Sequence, residues 1–273
     1  MPGILVTGAS GFLGRALHAR LVGDGLPVVA AARRAVPGML QVPDYMQCPV
    51  SEITVHAAEE PDRGKVNAMG AAYVETSARV LKALLARTGW MVYVSSGVVY
   101  GDVSESPCCE DAPVVPADIY AQAKLHNERL VLEAGGTVLR LSNLFGVGMS
   151  ANNVLSDIAR QLPGEGPLRV RDQYPVRDFL AVDEAAQATA LCLRRGLRGV
   201  LNLGSGTGLS VCEVARVALR AAGQDGRAIE STQPSGRRSV NILNISLARQ
   251  ALGWEPSVAE AALGRFFIIG ASQ

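Results

Sequence analysis

Tyr120 and Lys124 are the residues whose types and spacing most clearly suggest chemistry. They lie four residues apart in YAQAK (120–124), a separation that puts both side chains on one face of a helix. A tyrosine hydroxyl has a pKa near 10, but a nearby lysine ammonium favours the phenolate and typically lowers such a pKa by roughly 1–3 units. The pair therefore predicts a tyrosine that donates or accepts a proton, although the same spacing also occurs in surface pairs.

A second polar group is expected close to this pair. The segment YVSSGVVYGD (93–102) follows a strongly apolar predicted strand, so its serines lie at the carboxyl end of that strand. Ligands of open α/β sheets bind at that end of the strands. A serine there can hydrogen-bond the substrate oxygen that Tyr120 protonates.

Three glycines suggest a nucleotide-binding turn. Gly8, Gly11 and Gly14 follow one another at intervals of three in ILVTGASGFLG (4–14), between a predicted strand and a predicted helix. In such a turn the first glycine makes the tight bend, the second lets the backbone approach a pyrophosphate, and the third allows close helix–strand packing. Glycine spacing alone is weak evidence, but the strand before it and the helix after it are the required context. We therefore expect phosphate to bind at the N-terminus of that helix.

The end of the second predicted strand indicates which dinucleotide binds. An NAD site usually has an acid there for the ribose 2′-hydroxyl. This chain instead reads AAARRAV, with Arg33 and Arg34 and no acid. Guanidinium groups bind phosphate through charge-assisted hydrogen bonds and would attract a 2′-phosphate. The sequence thus predicts NADPH, with NAD as the alternative if the two arginines are only a solvated surface pair.

The order of the elements predicts an α/β protein with a Rossmann-type, doubly wound parallel sheet and a smaller C-terminal substrate-binding lobe. The predicted strands of the sheet are 3–7, 27–31, 52–56, 90–95 and 137–141, and the helices between them are 11–23, 66–87 and 118–134. Residues 1–150 are expected to form the dinucleotide-binding domain, to which 178–203 returns. Residues 151–177 and 204–273 are expected to form the smaller lobe.

Composition excludes several classes of function. The 273 residues are 48% hydrophobic and 19% charged, with a formal net charge of +1. This is a globular profile without a basic field for nucleic acid or an acidic membrane, and no apolar run is long enough to span a bilayer. The five cysteines are odd in number and show no metal-binding spacing. They favour reduced thiols in a cytoplasmic protein, and no metal site is expected.

Taken together, these segments resemble the extended short-chain dehydrogenase/reductases, of the NAD(P)-dependent epimerase/dehydratase type that acts on nucleotide sugars. The resemblance runs over nearly the whole chain. Besides the glycine turn and the Tyr–Lys pair, it is carried by HAA (56–58), NAMG (67–70), SSGVVYGD (95–102), LRLSNLFGVG (139–148), VRDFLAVDEAA (176–186), LNLGSGTGLSVCEVA (201–215) and LGWEP (252–256).

The resemblance implies roles for individual residues. Ser96 is implied as the catalytic serine, Tyr120 as the acid/base, and Lys124 as its partner and ribose anchor. The implied substrate-binding residues are Ser96, Asn143, Arg177 and Arg237. The match for Arg237 is looser than the others and fits Arg238 as well. The implied cofactor-binding residues are Gly8, Ser10, Gly11, Phe12, Leu13, Gly14, Arg33, Arg34, Ala57, Ala58, Tyr120 and Lys124.

Two departures from the family pattern bear on the site. The segment QCPVS (47–51) lacks the acid that often contacts adenine in the family. Only residues 59–66 separate the HAA turn from Asn67, so a loop that often covers the cofactor or substrate is short.

The residues beside the implied serine separate the possible reactions. A 4,6-dehydratase resembling this chain would need an acid–base pair there, and a bifunctional epimerase-reductase usually has a cysteine, whereas this chain has Gly97 and Val98. A 4-keto reductase and a 4-epimerase both need only Ser, Tyr and Lys. Because the arginine pair and the short loop favour NADPH and its exchange, we expect NADPH-dependent reduction of a nucleotide-linked 4-keto-(6-deoxy)sugar.

An NAD-dependent nucleotide-sugar 4-epimerase is the main alternative, and a cofactor-binding sensor is a further one, although such sensors typically lose the tyrosine or lysine. The expected partners are a nucleotide-sugar substrate and a second copy of the chain. In that homodimer the helical stretches 66–87 and 118–134 would form a four-helix interface.

Overall fold

A computed structural model describes residues 3–102, 104 and 106–270 of the chain. Its main sheet consists of β1 (Ile4–Thr7), β2 (Val28–Ala32), β3 (Leu40–Gln41), β4 (Ser51–His56), β5 (Thr88–Ser96), β6 (Thr137–Leu141) and β10 (Gly199–Leu203). The sheet is parallel throughout, and its strands lie in the order β10-β6-β5-β4-β1-β2-β3. The predicted Rossmann-type fold class is confirmed.

Helices cover both faces of this sheet, which explains why its strands are apolar rather than alternating. Along the chain the helices are α1 (Phe12–Gly23), α2 (Arg63–Met69), α3 (Ala71–Leu85), α4 (Ile119–Glu133), α5 (Val154–Gln161), α6 (Val182–Arg195), α7 (Val211–Ala221), α8 (Ser246–Leu252) and α9 (Ala259–Gly270). On one face α1, α6 and α8 bury Leu17, Leu21 and Ala185. On the other face α3 and α4 bury Leu81, Leu84 and Val131.

The single helix predicted for residues 66–87 is wrong. The structure has two helices there, α2 and α3, which meet at Gly70 with φ +62° and ψ −152°. A residue with a side chain rarely adopts this backbone conformation, so the chain changes direction where the sequence offers a glycine. Gly70 is therefore a helix boundary, which the apolar periodicity of residues 66–87 does not reveal.

A smaller set of elements packs beyond the carboxyl ends of the main strands. Its strands are β7 (Asn143–Phe145), β8 (Leu168–Val170), β9 (Val176–Ala181), β11 (Gly208–Ser210), β12 (Ile229–Ser231) and β13 (Val240–Asn241). Strand β9 pairs with β7, β11 and β13, while β8 pairs with β12. Here Phe145, Ile158 and Phe267 belong to a separate apolar core. How the chain divides into domains stays a prediction.

The strand order fixes where a ligand can bind. Strand β1 has β2 on one side and β4 on the other, so the connections leave in opposite directions and open a crevice at their carboxyl ends. Thr7 and His56 are register partners at that edge, and the Thr7 Oγ1 lies 2.7 Å from the His56 Nδ1. Burial lowers the pKa of His56 to about 4, so its ring is neutral at physiological pH.

Candidate active site

The glycine turn brings three backbone segments into close contact. Gly8 has φ +72°, and a Cβ there would lie 2.7 Å from the carbonyl oxygen of Ala57. A Cβ on Gly14 would lie 2.0 Å from the carbonyl oxygen of Gly8. Both positions therefore require glycine. Helix α1 begins directly after Gly11, and its first amides have no partner within the helix, which is the arrangement that binds phosphate.

A cavity of about 890 Å³ extends from this turn to the carboxyl end of β5. It is large enough for a dinucleotide, and its walls include every residue predicted to bind the cofactor. These are Gly8, Ser10, Gly11, Phe12, Leu13, Gly14, Arg33, Arg34, Ala57, Ala58, Tyr120 and Lys124. The glycine cradle, the free helix amides and the arginines at one end thus fit NADP(H) or NAD(H).

Arg33 and Arg34 are exposed at the end of β2, and both line this cavity. The guanidinium carbon of Arg33 lies 5.9 Å from the centre of the Tyr45 ring. Tyr45 is buried in a 3₁₀ turn (Tyr45–Gln47) that Asp44 caps through its side chain. The sequence analysis did not identify Tyr45 as a lining residue, because the 3₁₀ turn after β3, and not a local motif, brings it to the cavity.

Helix α4 carries the predicted Tyr–Lys pair. Asp118 caps the helix by accepting a hydrogen bond from the Ala121 amide, and Asn67 accepts one from the Tyr120 amide at 3.1 Å. The Lys124 ammonium lies one turn further on, 5.7 Å from the centre of the Tyr120 ring. Asn67 of the NAMG motif thus holds the start of the helix that presents both residues.

The structure distinguishes the two serines at the end of β5. Ser95 and Ser96 both line the cofactor cavity, but the Ser95 hydroxyl donates a hydrogen bond to the buried carboxylate of Glu128 on α4, which also pairs with Arg140 at 2.7 Å. Ser96 lines the cofactor cavity, and its Oγ accepts a hydrogen bond from the Val98 amide. Because Glu128 already takes the Ser95 hydroxyl proton, Ser96 is the better candidate for the predicted catalytic serine.

A second, smaller cavity of about 190 Å³ adjoins the first. The two cavities share Ser96, Leu141, Ser142 and Asn143. All four predicted substrate residues, Ser96, Asn143, Arg177 and Arg237, line the smaller one, whereas Arg238 does not. Among the described residues the buried Ser142 hydroxyl has no hydrogen-bond partner.

Asp102 sets the charge of the smaller cavity. Its carboxylate accepts two hydrogen bonds from Arg237, at 3.0 and 2.7 Å, and one from Ser239 at 2.7 Å, and Arg177 lies 3.9 Å away. The hydrogen bonds from Arg237, assisted by Ser239, lower the pKa of Asp102 to about 2. Arg63 is a third guanidinium on the same wall, and the sequence reading missed it.

Neighbouring residues of the segment RDF (177–179) have different roles. Arg177 faces the smaller cavity, whereas Asp178 is fully buried and accepts hydrogen bonds from the amides of Ser205 and Gly206. Asn143 donates to the Asp178 carbonyl at 3.1 Å. Asp178 is thus an anchor that joins β9 to the turn after β10, and it holds Arg177 in place.

Position 97 leaves little room for a side chain. A Cβ on Gly97 would lie 2.8 Å from the Leu243 Cδ2 and 3.3 Å from the Asn241 Oδ1. Asn241 in turn donates hydrogen bonds to the carbonyls of Gly97 and Gly101, so it is fixed there. The site next to Ser96 therefore offers no acid, base or thiol from this position.

Residues 3–102, 104 and 106–270 lack two kinds of feature. No helix in those ranges has both the length and the apolar character to cross a membrane. The same ranges hold no group of three or more His, Cys, Asp or Glu side chains that could bind a metal ion.

Several curated proteins are similar to the chain along most of its length. The dTDP-6-deoxy-L-talose 4-dehydrogenase (NAD(P)(+)) of Kitasatospora kifunensis is 27% identical, over 93% of this chain and 90% of that protein. The UDP-glucose 4-epimerase of Azospirillum brasilense is 27% identical (93% and 87%), and the GDP-6-deoxy-D-mannose reductase of Pseudomonas aeruginosa is 29% identical (93% and 92%).

The fold and the family follow from two further comparisons. The solved structure of RMD from Pseudomonas aeruginosa complexed with NADPH superposes with a TM-score of 0.85 at 26% identity, over 100% of this chain and 99% of that one. The family model described as the NAD dependent epimerase/dehydratase family matches residues 4–204. The chain therefore belongs to the NAD dependent epimerase/dehydratase family, whose enzymes use NAD(P) and modify nucleotide sugars.

Proposed function

We propose that this enzyme reduces the keto group of a nucleotide-linked 4-keto-(6-deoxy)sugar, with NADPH as the hydride donor. The observation that carries the proposal is the position of Arg33 and Arg34 in the wall of the cavity that also contains the glycine turn, Tyr120 and Lys124. Two guanidinium groups favour a cofactor with an additional phosphate. Because a reductase consumes one NADPH in each turnover, it must release the oxidised cofactor each time.

The residues present account for the chemistry of such a reduction. NADPH, when bound along the cavity, supplies the hydride for the keto carbon. Tyr120 donates its hydroxyl proton to the oxygen that becomes an alkoxide, and Ser96 donates a hydrogen bond to that oxygen. Lys124 keeps an ammonium beside the tyrosine, and on the substrate side Arg177 and Arg237 would hold the diphosphate of the nucleotide.

The crowding at Gly97 supports this choice over a dehydratase. Elimination of water across two sugar carbons needs a further acid and base beside the serine, and position 97 supplies neither. The similarity to a 4-dehydrogenase of a dTDP-6-deoxy sugar and to a GDP-6-deoxy-D-mannose reductase also supports oxidoreduction. The 4-epimerase remains the second candidate, because Ser96, Tyr120 and Lys124 would serve it equally and a UDP-glucose 4-epimerase is among the relatives.

The decisive experiment follows deuterium from labelled NADPH. Protein stripped of ligand is incubated with NADPH deuterated at the transferred position and with GDP-, dTDP- or UDP-linked 4-keto-6-deoxy sugars. A reductase places one deuterium at C4 of the product and forms one NADP⁺ per product. If instead the protein retains NAD through purification and interconverts UDP-glucose and UDP-galactose without net change of cofactor, the epimerase function is correct and the reductase is not.

We further propose that the enzyme acts as a homodimer in the cytoplasm. Helices α3 and α4 pack side by side on one face of the sheet and could pair with the same helices of a second copy. All five cysteines are unpaired, which suits a reducing compartment. Light scattering tests the dimer, since a mass of one chain (28.6 kDa) would exclude it.

A further inference from the structure

A buried carboxylate lies directly against the lysine of the Tyr–Lys pair. Glu59 follows the HAA turn, and its Oε2 lies 2.6 Å from the Lys124 Nζ. The side chains of Glu59 and Lys124 are only 9% and 8% exposed, and both line the cofactor cavity. Glu59 takes no direct part in the proposed transfer of hydride and proton.

Glu59 is held in this place by three side chains on two elements, β5 and α4. The hydroxyl of Tyr93 on β5 donates to the carboxylate at 2.9 Å, and the Asn127 amide on α4 donates to it at 2.7 Å. Together with the Lys124 ammonium on α4, these contacts fix the carboxylate against the strand and helix that form the site. A charge that is this buried persists only with such partners, so the arrangement is specific rather than incidental.

We propose that Glu59 is a positioning residue that aims the Lys124 ammonium and offsets its charge, so that Tyr120 keeps its proton. This inference rests on the proposed reductase function, because a reductase needs a protonated tyrosine at the start of the reaction. An oxidising half-reaction would need the phenolate instead.

The aiming follows from the number of protons on the ammonium. Lysine has three N–H donors. One is used by the Val94 carbonyl at 2.9 Å and one by Glu59, which leaves a single donor. The third donor remains for the space shared by Tyr120 and the cofactor cavity. Without Glu59, the ammonium would have two uncommitted donors and more freedom of orientation.

Glu59 offsets the positive charge of Lys124 because both members of the Glu59–Lys124 pair are ionised. Burial alone would raise the pKa of Glu59 and lower that of Lys124, but each group stabilises the charge of the other, so the pKa of Glu59 lies below and that of Lys124 above its ordinary value. Both are therefore ionised. A lysine with an adjacent carboxylate exerts a weaker field on a neighbouring phenol than a lone lysine does.

The other titratable groups around the pair do not replace Glu59. From β4, His56 is neutral because burial lowers its pKa to about 4. From α3, burial raises the pKa of Tyr73 to about 12, and burial also raises the pKa of Tyr93 on β5. At the start of α4, Asp118 and Arg63 neutralise each other as a pair. Glu59 is thus the carboxylate that acts on Lys124.

The test is a titration of Tyr120 in the full-length protein without substrate. The near-ultraviolet absorbance of phenolate is followed with pH, and the same curve for Tyr120→Phe is subtracted to isolate Tyr120. The subtraction is done in the parent and in the Glu59→Gln background. We expect the Tyr120 phenolate to form about one pH unit or more lower in Glu59→Gln, since the lysine charge then acts alone.

Two matched variants sharpen this test. Glu52→Gln, an exposed carboxylate at the other end of β4, should titrate like the parent. Glu59→Asp keeps the charge but shortens the side chain, so its Tyr120 phenolate should form near the parental pH even if Glu59→Gln does not fold. If either variant at position 59 contradicts its expected titration, the inference is wrong.

The reductase proposal is judged separately from this titration, which needs neither NADPH nor a sugar nucleotide. Should reductase activity be found, the high-pH limb of its kcat/KM profile should move to lower pH in Glu59→Gln. A uniform loss of activity at every pH, with the limb unmoved, would show that Glu59 is only structural.

Discussion

Replacing Arg33 and Arg34 by serine is expected to abolish the preference for NADPH and to leave NADH binding nearly unchanged. Both side chains are exposed at the end of β2 and line the cofactor cavity, and Arg33 also lies over the Tyr45 ring. They have no carboxylate partner among the described ion pairs. Their removal should therefore cost little stability and act on ligand binding.

The expected loss of NADPH affinity depends on how exposed Arg33 and Arg34 are. A hydrogen bond to a charged group contributes about 1.5–3 kcal/mol, but solvent reduces an exposed ion pair to about 1 kcal/mol or less. Arg33 is partly ordered by Tyr45, at 5.9 Å, so it should contribute about 1–2 kcal/mol and Arg34 about 1 kcal/mol. The sum of about 2–3 kcal/mol corresponds to a roughly 30- to 150-fold weaker affinity for NADPH.

Calorimetry on protein stripped of ligand measures this directly. NADPH and NADH are titrated into the parent, the two single variants and the double variant, and the ratio of the two dissociation constants is compared. Arg195→Ser is the matched control, because Arg195 is exposed at the end of α6 and does not line the cavity. Its ratio should equal that of the parent.

One outcome refutes the reasoning. If the parent binds NADH as tightly as NADPH, or if the double variant keeps the parental ratio, the two arginines do not bind the 2′-phosphate. The cofactor preference would then have no basis at the end of β2, and the case for the epimerase would become the stronger one.

Further predictions address the tyrosine, the buried histidine and the glycine turn. Tyr120→Phe should lower kcat by roughly 10²–10⁴-fold while calorimetry shows unchanged NADPH binding, and equal losses of both would contradict its role as proton donor. The neutral His56 should make the free energy of unfolding fall as pH decreases from 6.5 to 4, because the unfolded state then binds the extra proton. Denaturant unfolding should show a loss of about 2 kcal/mol between pH 7 and pH 5, and His56→Asn should lose much less. Gly14→Ala should weaken NADPH binding and lower Tm, whereas Gly23→Ala, where a Cβ meets nothing within 4 Å, should keep NADPH binding intact.

Much of the fold and the cofactor site could be predicted because the signals are local. The strands of the sheet are apolar runs between turn residues, and Gly8, Gly14, Tyr120 and Lys124 act through spacing within one turn or one helix. The boundary at Gly70 was lost because an apolar pattern continues across it, and a positive φ at one glycine is invisible to periodicity.

Other residues of the site depend on contacts between distant segments, and spacing does not reveal them. Tyr45 reaches the cavity because a 3₁₀ turn follows β3, and Ser142 because β6 ends between the two cavities. Glu59 had a weak signal, since a charged residue directly after an apolar strand of a parallel sheet lies at the ligand-binding edge. Its partner on α4, 65 positions along the chain, could be identified only from the structure.

The short connection after β4 links these observations to the proposed reaction. Helix α2 begins at Arg63, so only the segment 57–62 lies between β4 and that helix, and residues 57–61 of it line the cofactor cavity. Glu59 in this segment is tied to Lys124 and Tyr93, and the Glu60 amide is tied to the Tyr73 hydroxyl at 3.0 Å. A segment this short and this well anchored forms a wall but has no spare length with which to close over a bound dinucleotide. This open wall fits the proposed reductase, which must release its cofactor after each turnover, better than an epimerase that retains and recycles its NAD.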